Sequence, residues 1–407
     1  MSAKIDEYYI EALRRYYVAS GDKLSKIVNF PCGSRSPFLR SHDIIGKDDF
    51  TIIDSFDGRK PAVYSYRYLV DGHSIAPFAV GIVPDSNVVS YLHQLVTDES
   101  GAYRTTPRGQ ATQQLLKKIA EYSLKGWDFN PCFYLLEAFS KRGFDKIFPR
   151  ARIYAESMLK IQTMDDEHYL KSGMIVADSE KLQPGSGNFE TASYNLAKAT
   201  SALNFDEMWI FIQATYATLL KIGLIGLEKS DSFRKVENIL EFLHNDLGVL
   251  LLREAVLSCL HFEGKSGRLI PLQPGAKEVR RRLLASAWDI CLLRVPEALI
   301  VNQSDEVEVT PIYYICTADK ALQKLGRMFV VGRVSSISEG RWHLPSPVGT
   351  KYDLLSQEVG ESLTKQFFDA YFQRSDNVAQ RTPRDLAEVS QVVEDLEHQA
   401  SKVASLD

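Results

Sequence analysis

The chain has 407 residues, 45% hydrophobic and 25% charged, so it can bury an ordinary core, and its length suggests two or three domains. A net charge of −4 excludes the basic surface of a protein that coats nucleic acid non-specifically, so any action on a polyanion must be local, through metal and a few basic side chains. The five cysteines, Cys32, Cys132, Cys259, Cys291 and Cys316, form no Cys-x-x-Cys pair; they read as reduced residues of a cytoplasmic protein, not as a disulfide frame or zinc site.

Residues 1–76 read as an N-terminal extension. Residues 5–17 suit a charged amphipathic helix and lack the apolar run of a signal peptide. After the polar loop PCGSRSPF, the segments TIIDSF and AVYSYRYLV suit strands. The character changes at Pro77. FAVGIVPD is a short apolar run ending in an acid, as in a strand buried on both faces of a parallel sheet. The helical segments SNVVSYLHQLV, QATQQLLKKIAEYSLKG and CFYLLEAFSKRG follow, closing at Gly126 and Gly143. Residues 77–143 thus form the first half of an α/β core.

Residues 144–271 read as a helical insertion, broken by the loop LQPGSGN. Phe233, Val236, Ile239, Leu240, Leu243 and Leu247 form one apolar stripe that stops at Gly248. The most membrane-like stretch, 208–227, contains Gln213 and Lys221 and suits a buried helix better than a span. Residues 272–348 form the second half of the core. A helix over 277–295 is expected to end at Pro296; PIYYICTAD is a second apolar strand ending in an acid, DKALQKLG a helix and MFVVGRV a strand. Residues 349–407 read as a helical tail, with an N-cap and a proline at the first helical position in Thr382-Pro383-Arg384-Asp385.

Four acids stand out. Asp85 and Asp319 each end an apolar strand, and ligands of an open parallel sheet bind beyond the carboxyl ends of its strands. If the strands are neighbours, both carboxylates face one crevice; otherwise each Asp caps the helix that follows. Glu137 and Asp289 are single carboxylates in apolar helices. Such a group is costly to bury unless paired, protonated or bound to metal. The plainer readings are an ion pair, with Lys141 or Arg294, or a solvent-facing position. Together the four favour a shared site for Mg²⁺ or Mn²⁺, hard cations that take oxygen ligands. Two such ions roughly 4 Å apart hold a scissile phosphate and activate water.

These motifs resemble those of the PIN-like nuclease family. IVPDSNVV, around Asp85, resembles its first motif, and NPCFYLLEA, around Glu137, its second. The Trp288-Asp289-Ile290 segment resembles the third, a role for which Glu254 and Asp206 compete. CTADKAL, around Asp319, resembles the fourth, a Thr-x-Asp pattern. The match covers about 77–143 and 272–335. It implies a three-layer α/β/α domain with a central parallel sheet, here carrying a large helical insertion and N- and C-terminal extensions. It also implies Mg²⁺- or Mn²⁺-dependent cleavage of nucleic acid, RNA more than DNA. Asp85, Glu137, Asp289 and Asp319 become the expected metal ligands and catalytic residues. Asn87 and Thr317 are expected to orient the carboxylates. Ser86, Arg281 and Lys320 are candidate phosphate contacts. Ser86 and Asn87 equally suit helix caps, and the Arg280–Arg282 run with Lys277 suits a solvated helix start.

The expected partners are nucleic acid and a protein regulator or second copy of the chain, with no membrane. The non-enzymatic alternative is a PIN-like scaffold whose insertion and tail bind proteins. A role as toxin or antiphage effector rests on family analogy alone. No His-Glu-x-x-His pair, G-x-x-x-x-G-K-[ST] loop or G-x-S-x-G elbow occurs, which argues against a zinc hydrolase, a P-loop nucleotidase and a serine hydrolase.

Overall fold

A computed structural model describes residues 24–30, 43–45, 49–65, 77–140, 144–178, 181, 205–301, 309–337, 349–378 and 384–405. The expected helix at 5–17 and the loops PCGSRSPF and LQPGSGN lie outside the described residues. The strands are β1 (Leu24–Asn29), β2 (Asp43–Ile45), β3 (Phe50–Ile53), β4 (Ala62–Ser65), β5 (Phe78–Pro84), β6 (Asp128–Phe129), β7 (Thr310–Thr317), β8 (Phe329–Val330), β9 (Arg333–Ile337) and β10 (Gly349–Thr350). The helices before residue 250 are α1 (Ser86–Val96), α2 (Ala102–Thr105), α3 (Pro107–Ser123), α4 (Cys132–Ser140), α5 (Phe144–Gln162), α6 (Asp166–Ser172), α7 (Phe205–Gly226) and α8 (Ser232–Glu241). Those after it are α9 (Leu252–Phe262), α10 (Val279–Leu292), α11 (Val295–Val301), α12 (Lys320–Gly326), α13 (Tyr352–Val359), α14 (Glu361–Val378) and α15 (Leu386–Ser401).

The chain divides into two compact units. The first comprises Met1–Leu203, Arg294–Asp319 and Val331–Ser346; the second comprises Asn204–Leu293, Lys320–Val330 and Pro347–Asp407.

The first unit is α/β. Its main sheet has the order β2-β3-β7-β5-β6. β5 and β7 run parallel, from Phe78↔Thr310 to Pro84↔Cys316, and β6 runs parallel on the other side of β5. β3 runs antiparallel to β7, with Thr51 opposite Thr317, and β2 runs antiparallel to β3. Four of the five strands therefore share one direction, and β3 alone opposes it. Residues 43–53 supply two strands of this sheet, so part of the N-terminal segment belongs to the core. β4, β1 and β9 form a second, antiparallel sheet.

The apolar runs explain the central strands. Val80–Pro84 and Tyr314–Thr317 are buried throughout, as strands covered on both faces must be. Successive residues of β7 point to opposite faces. Tyr314 stacks on Trp127 at 5.3 Å and meets Phe56 edge-on at 5.8 Å, anchoring an aromatic core that extends to Phe30 and Tyr122. Tyr313 lies over Gly81, where a Cβ would come within 2.3 Å of the ring, so only glycine permits this approach. α1 buries Val88, Val89, Leu92 and Leu95 along one face and packs against α3 and α5. α3 begins at Thr106, whose hydroxyl accepts the Gly109 N–H at 2.9 Å, with Pro107 in the first turn.

The second unit is mainly helical. α7 contains the window Trp209–Gly226, apolar and long enough to cross a membrane by length and composition; 61% of that window is buried inside the structure. The helix packs against α10 and α15. Tyr216 of α7 donates to Glu397 of α15, and Arg280 of α10 donates to the same carboxylate, so one acid joins three helices. The stripe expected over 233–247 runs through α8 into a π-helical turn, Phe242–Asp246, and ends at Gly248 with φ +67°.

Several boundaries differ from expectation. α10 stops at Leu292, and Pro296 does not end a helix but lies second in α11, where its missing N–H breaks no helical bond. MFVVGRV splits: β8 pairs with β10, and β9 pairs with β1. Residues 144–271 are divided between the units, with α5 and α6 in the first and α7 to α9 in the second. α15 starts at Leu386, where Asp385 and Glu388 form a reciprocal capping box.

Candidate functional site

The parallel pairing of β5 and β7 brings Asp85 and the Thr317–Asp319 turn to one edge of the sheet. Asp85 follows the last residue of β5, and its backbone N–H donates to the Cys316 carbonyl at 2.9 Å. Its side chain caps α1: Oδ1 accepts the Val88 N–H at 2.6 Å. Oδ2 accepts from the Thr317 hydroxyl at 2.5 Å and from the Ala318 N–H at 3.3 Å. The Thr317 oxygen in turn accepts the Asp319 N–H at 2.9 Å. Asp85 and Asp319 are both buried.

Burial pushes the Asp85 carboxyl up from 3.8 to about 6. The donors Thr317, Val88 and Ala318 pull it down, and the negative charge of Asp319 adds to the rise. The Cys316 thiol is also raised, by burial first and by Asp85 second.

The other expected ligands are placed as follows. Glu137 is buried on α4, a helix that packs against β5 and α5. Asp289 is half-buried on α10 and belongs to the second unit. Its competitor Glu254 is fully buried on α9 and accepts the Thr215 hydroxyl at 2.6 Å. The side chain of Asp206 lies outside the described residues, as does that of Lys141. Among the described residues no group of three or more His, Cys, Asp or Glu side chains could hold a metal ion.

The lesser candidates are plainer. Ser86 and Asn87 are half-buried in the first turn of α1, whose cap is Asp85 itself. Arg281 is exposed and pairs with Glu278 at 2.6 Å, while Arg280 is engaged with Glu397. Both fit the solvated-helix reading of the basic run. Lys320 is exposed at the start of α12.

One flank of this edge was not read from the sequence. Because β3 runs antiparallel beside β7, its start lies at the edge where β7 ends. There Asp49 pairs with Arg108 at 3.1 Å, and the Arg108 guanidinium lies over the rings of Tyr91 at 4.8 Å and Phe50 at 5.7 Å. No motif could have announced this, since it depends on the register between β3 and β7.

Two carboxylates at one sheet edge are the kind of donor set that a single hard cation would need. Mg²⁺ binds through one or two carboxylates and keeps several waters. A carboxylate has about four lone-pair positions, and three donors already use Asp85. Asp85 would therefore have about one position left for a metal, and a second carboxylate would have to come from Asp319. Comparison with protein-family models, with curated proteins and with solved structures finds no match for this chain.

Proposed function

We propose that this chain is a metal-dependent hydrolase of nucleic-acid phosphodiesters, RNA more than DNA, built on a PIN-like α/β/α core. The observation that carries the reading is the placing of two buried aspartates, Asp85 and Asp319, at the carboxyl ends of neighbouring parallel strands. That edge is where open parallel sheets bind ligands. A bound Mg²⁺ or Mn²⁺ supplies Lewis acidity and lowers the pKa of water. Asp85 and Asp319 supply the oxygens for it. Thr317 and the Val88 N–H fix the Asp85 rotamer, so the site is oriented before any ligand arrives. Glu137, buried on α4 of the same unit, is proposed as a further ligand. A cytoplasmic location and a protein regulator or second copy belong to the same reading.

The test is cleavage of labelled RNA and DNA oligonucleotides in Mn²⁺, Mg²⁺ or EDTA. Mn²⁺-dependent cleavage by the wild type that Asp319→Asn loses supports the reading. Cleavage that survives unchanged in Asp319→Asn sinks it.

A second reading, a PIN-like scaffold without catalysis, is favoured by the 1% exposure of Asp85 and the three donors on its oxygens. On that reading the carboxylate ties β5 to β7 and needs no metal. Thermal stability that Mn²⁺ leaves unchanged would support it.

A further inference from the structure

We infer that Arg108 is a docking point for a backbone phosphate of the nucleic-acid substrate, an inference that rests on the hydrolase reading above. Arg108 is in the first turn of α3, and its guanidinium is held by groups from two other elements. Tyr91 of α1 and Phe50 of β3 lie beneath it, at 4.8 and 5.7 Å from ring centroid to guanidinium carbon. The two rings meet edge-to-face at 6.1 Å. Asp49 takes Nη1 at 3.1 Å.

The place is the right one. Thr51 stands opposite Thr317. Asp49 and Asp319 each lie two residues beyond that last pair, at the same end of the two strands. Tyr91 is six residues along α1 from Asp85, a rise of about 9 Å. Arg108 therefore stands on the β3 flank of the edge that carries both aspartates.

The chemistry is also right. Stacking on rings fixes the plane of a guanidinium but leaves its N–H edge open. That edge matches two phosphate oxygens at once. Nη1 is buried against Asp49, while the side chain as a whole is 39% exposed, so the edge left for a phosphate is that of Nε and Nη2. Partly exposed ion pairs are weak, so Asp49 orients the arginine and competes only weakly with a phosphate for it. In a chain of net charge −4, such a local cation is the kind of anchor a polyanion needs.

The test is binding of fluorescein-labelled single-stranded RNA and DNA, in separate arms, to the full chain in EDTA over a salt series. Arg108→Gln is expected to weaken binding several-fold and to reduce the slope of log K against log salt by about 0.7, the value for one phosphate contact on a single strand. Arg108→Lys, which keeps the charge, is expected to retain the slope while binding more weakly. Asp49→Asn removes a competing carboxylate and is expected to bind more tightly. A purely structural arginine gives the contrary pattern: Arg108→Gln leaves the slope unchanged, and Asp49→Asn does not tighten binding. Either result, or no binding of either oligonucleotide by the wild type, overturns the inference. An Arg108-dependent slope without any metal-dependent cleavage overturns the hydrolase reading alone. Cleavage that needs Asp319, with an unchanged slope in Arg108→Gln, overturns the docking inference alone.

Discussion

The hydroxyl of Thr317 donates to Oδ2 of Asp85 across the β5–β7 pair and accepts the backbone N–H of Asp319. One oxygen thus connects the ends of two strands and both candidate ligands. A buried hydrogen bond to a charged group contributes about 1.5–3 kcal/mol. Thr317→Val keeps the shape and removes both bonds, so urea denaturation should show a loss of about 2 kcal/mol. Thr317→Ser should keep most of the stability. An undiminished midpoint in Thr317→Val would mean that the bond does not hold the edge.

The raised Asp85 carboxyl makes stability depend on pH. The folded chain binds this proton more tightly than the unfolded chain does, so the contribution is fully present below 3.8 and is lost as pH rises through about 6. A rise of this size corresponds to roughly 3 kcal/mol. The groups facing the carboxyl are Asp319, which opposes its ionisation, and the Thr317, Val88 and Ala318 donors, which favour it. Asp85→Asn cannot ionise there. The unfolding free energy of the wild type minus that of Asp85→Asn should therefore fall between these two pH values, and a flat difference would contradict the assignment.

Gly81 and Tyr313 form a steric pair. A Cβ at Gly81 would lie 2.3 Å from Tyr313 Cε1 and 3.0 Å from the Asp128 carbonyl oxygen. Gly81→Ala should cost about 1–3 kcal/mol, the range for overpacking. It should also displace the Tyr313 hydroxyl from Asp128, to which it now donates at 2.7 Å. Adding Tyr313→Ala to Gly81→Ala should recover part of the loss. Additive losses would mean that the ring is not the obstacle.

At the other end of the chain, Asp385 accepts the Glu388 N–H at 2.9 Å, and Glu388 accepts the Asp385 N–H at 3.0 Å. Asp385→Ala should lower stability by about 1 kcal/mol, the typical value of an N-cap. Thermal melting of the variant checks this.

How much of this was legible depends on range. FAVGIVPD and PIYYICTAD declared themselves as strands because both are buried almost throughout, and SNVVSYLHQLV matches α1 because its apolar spacing is helical. The cap at Asp385 lies three residues beyond Thr382, where a proline at the first helical position would put it. What no local pattern carries is pairing. TIIDSF reads as a strand, but nothing in it says that it runs antiparallel beside β7 and brings Asp49 to the edge where Asp319 stands. Pro296 was read as a stop, whereas a proline is equally suited to a first helical turn. Asp85 caps α1 through Oδ1, the plainer of the two readings that its place at a strand end offers.

Calorimetric titration of Mn²⁺ probes the proposed divalent-metal centre at Asp85 and Asp319. Saturable Mn²⁺ binding is expected for the wild type at neutral pH, lost in Asp319→Asn and in Asp85→Asn while both variants stay folded. A wild type that takes up no Mn²⁺, or variants that bind it as the wild type does, would rule out a metal centre on these two aspartates.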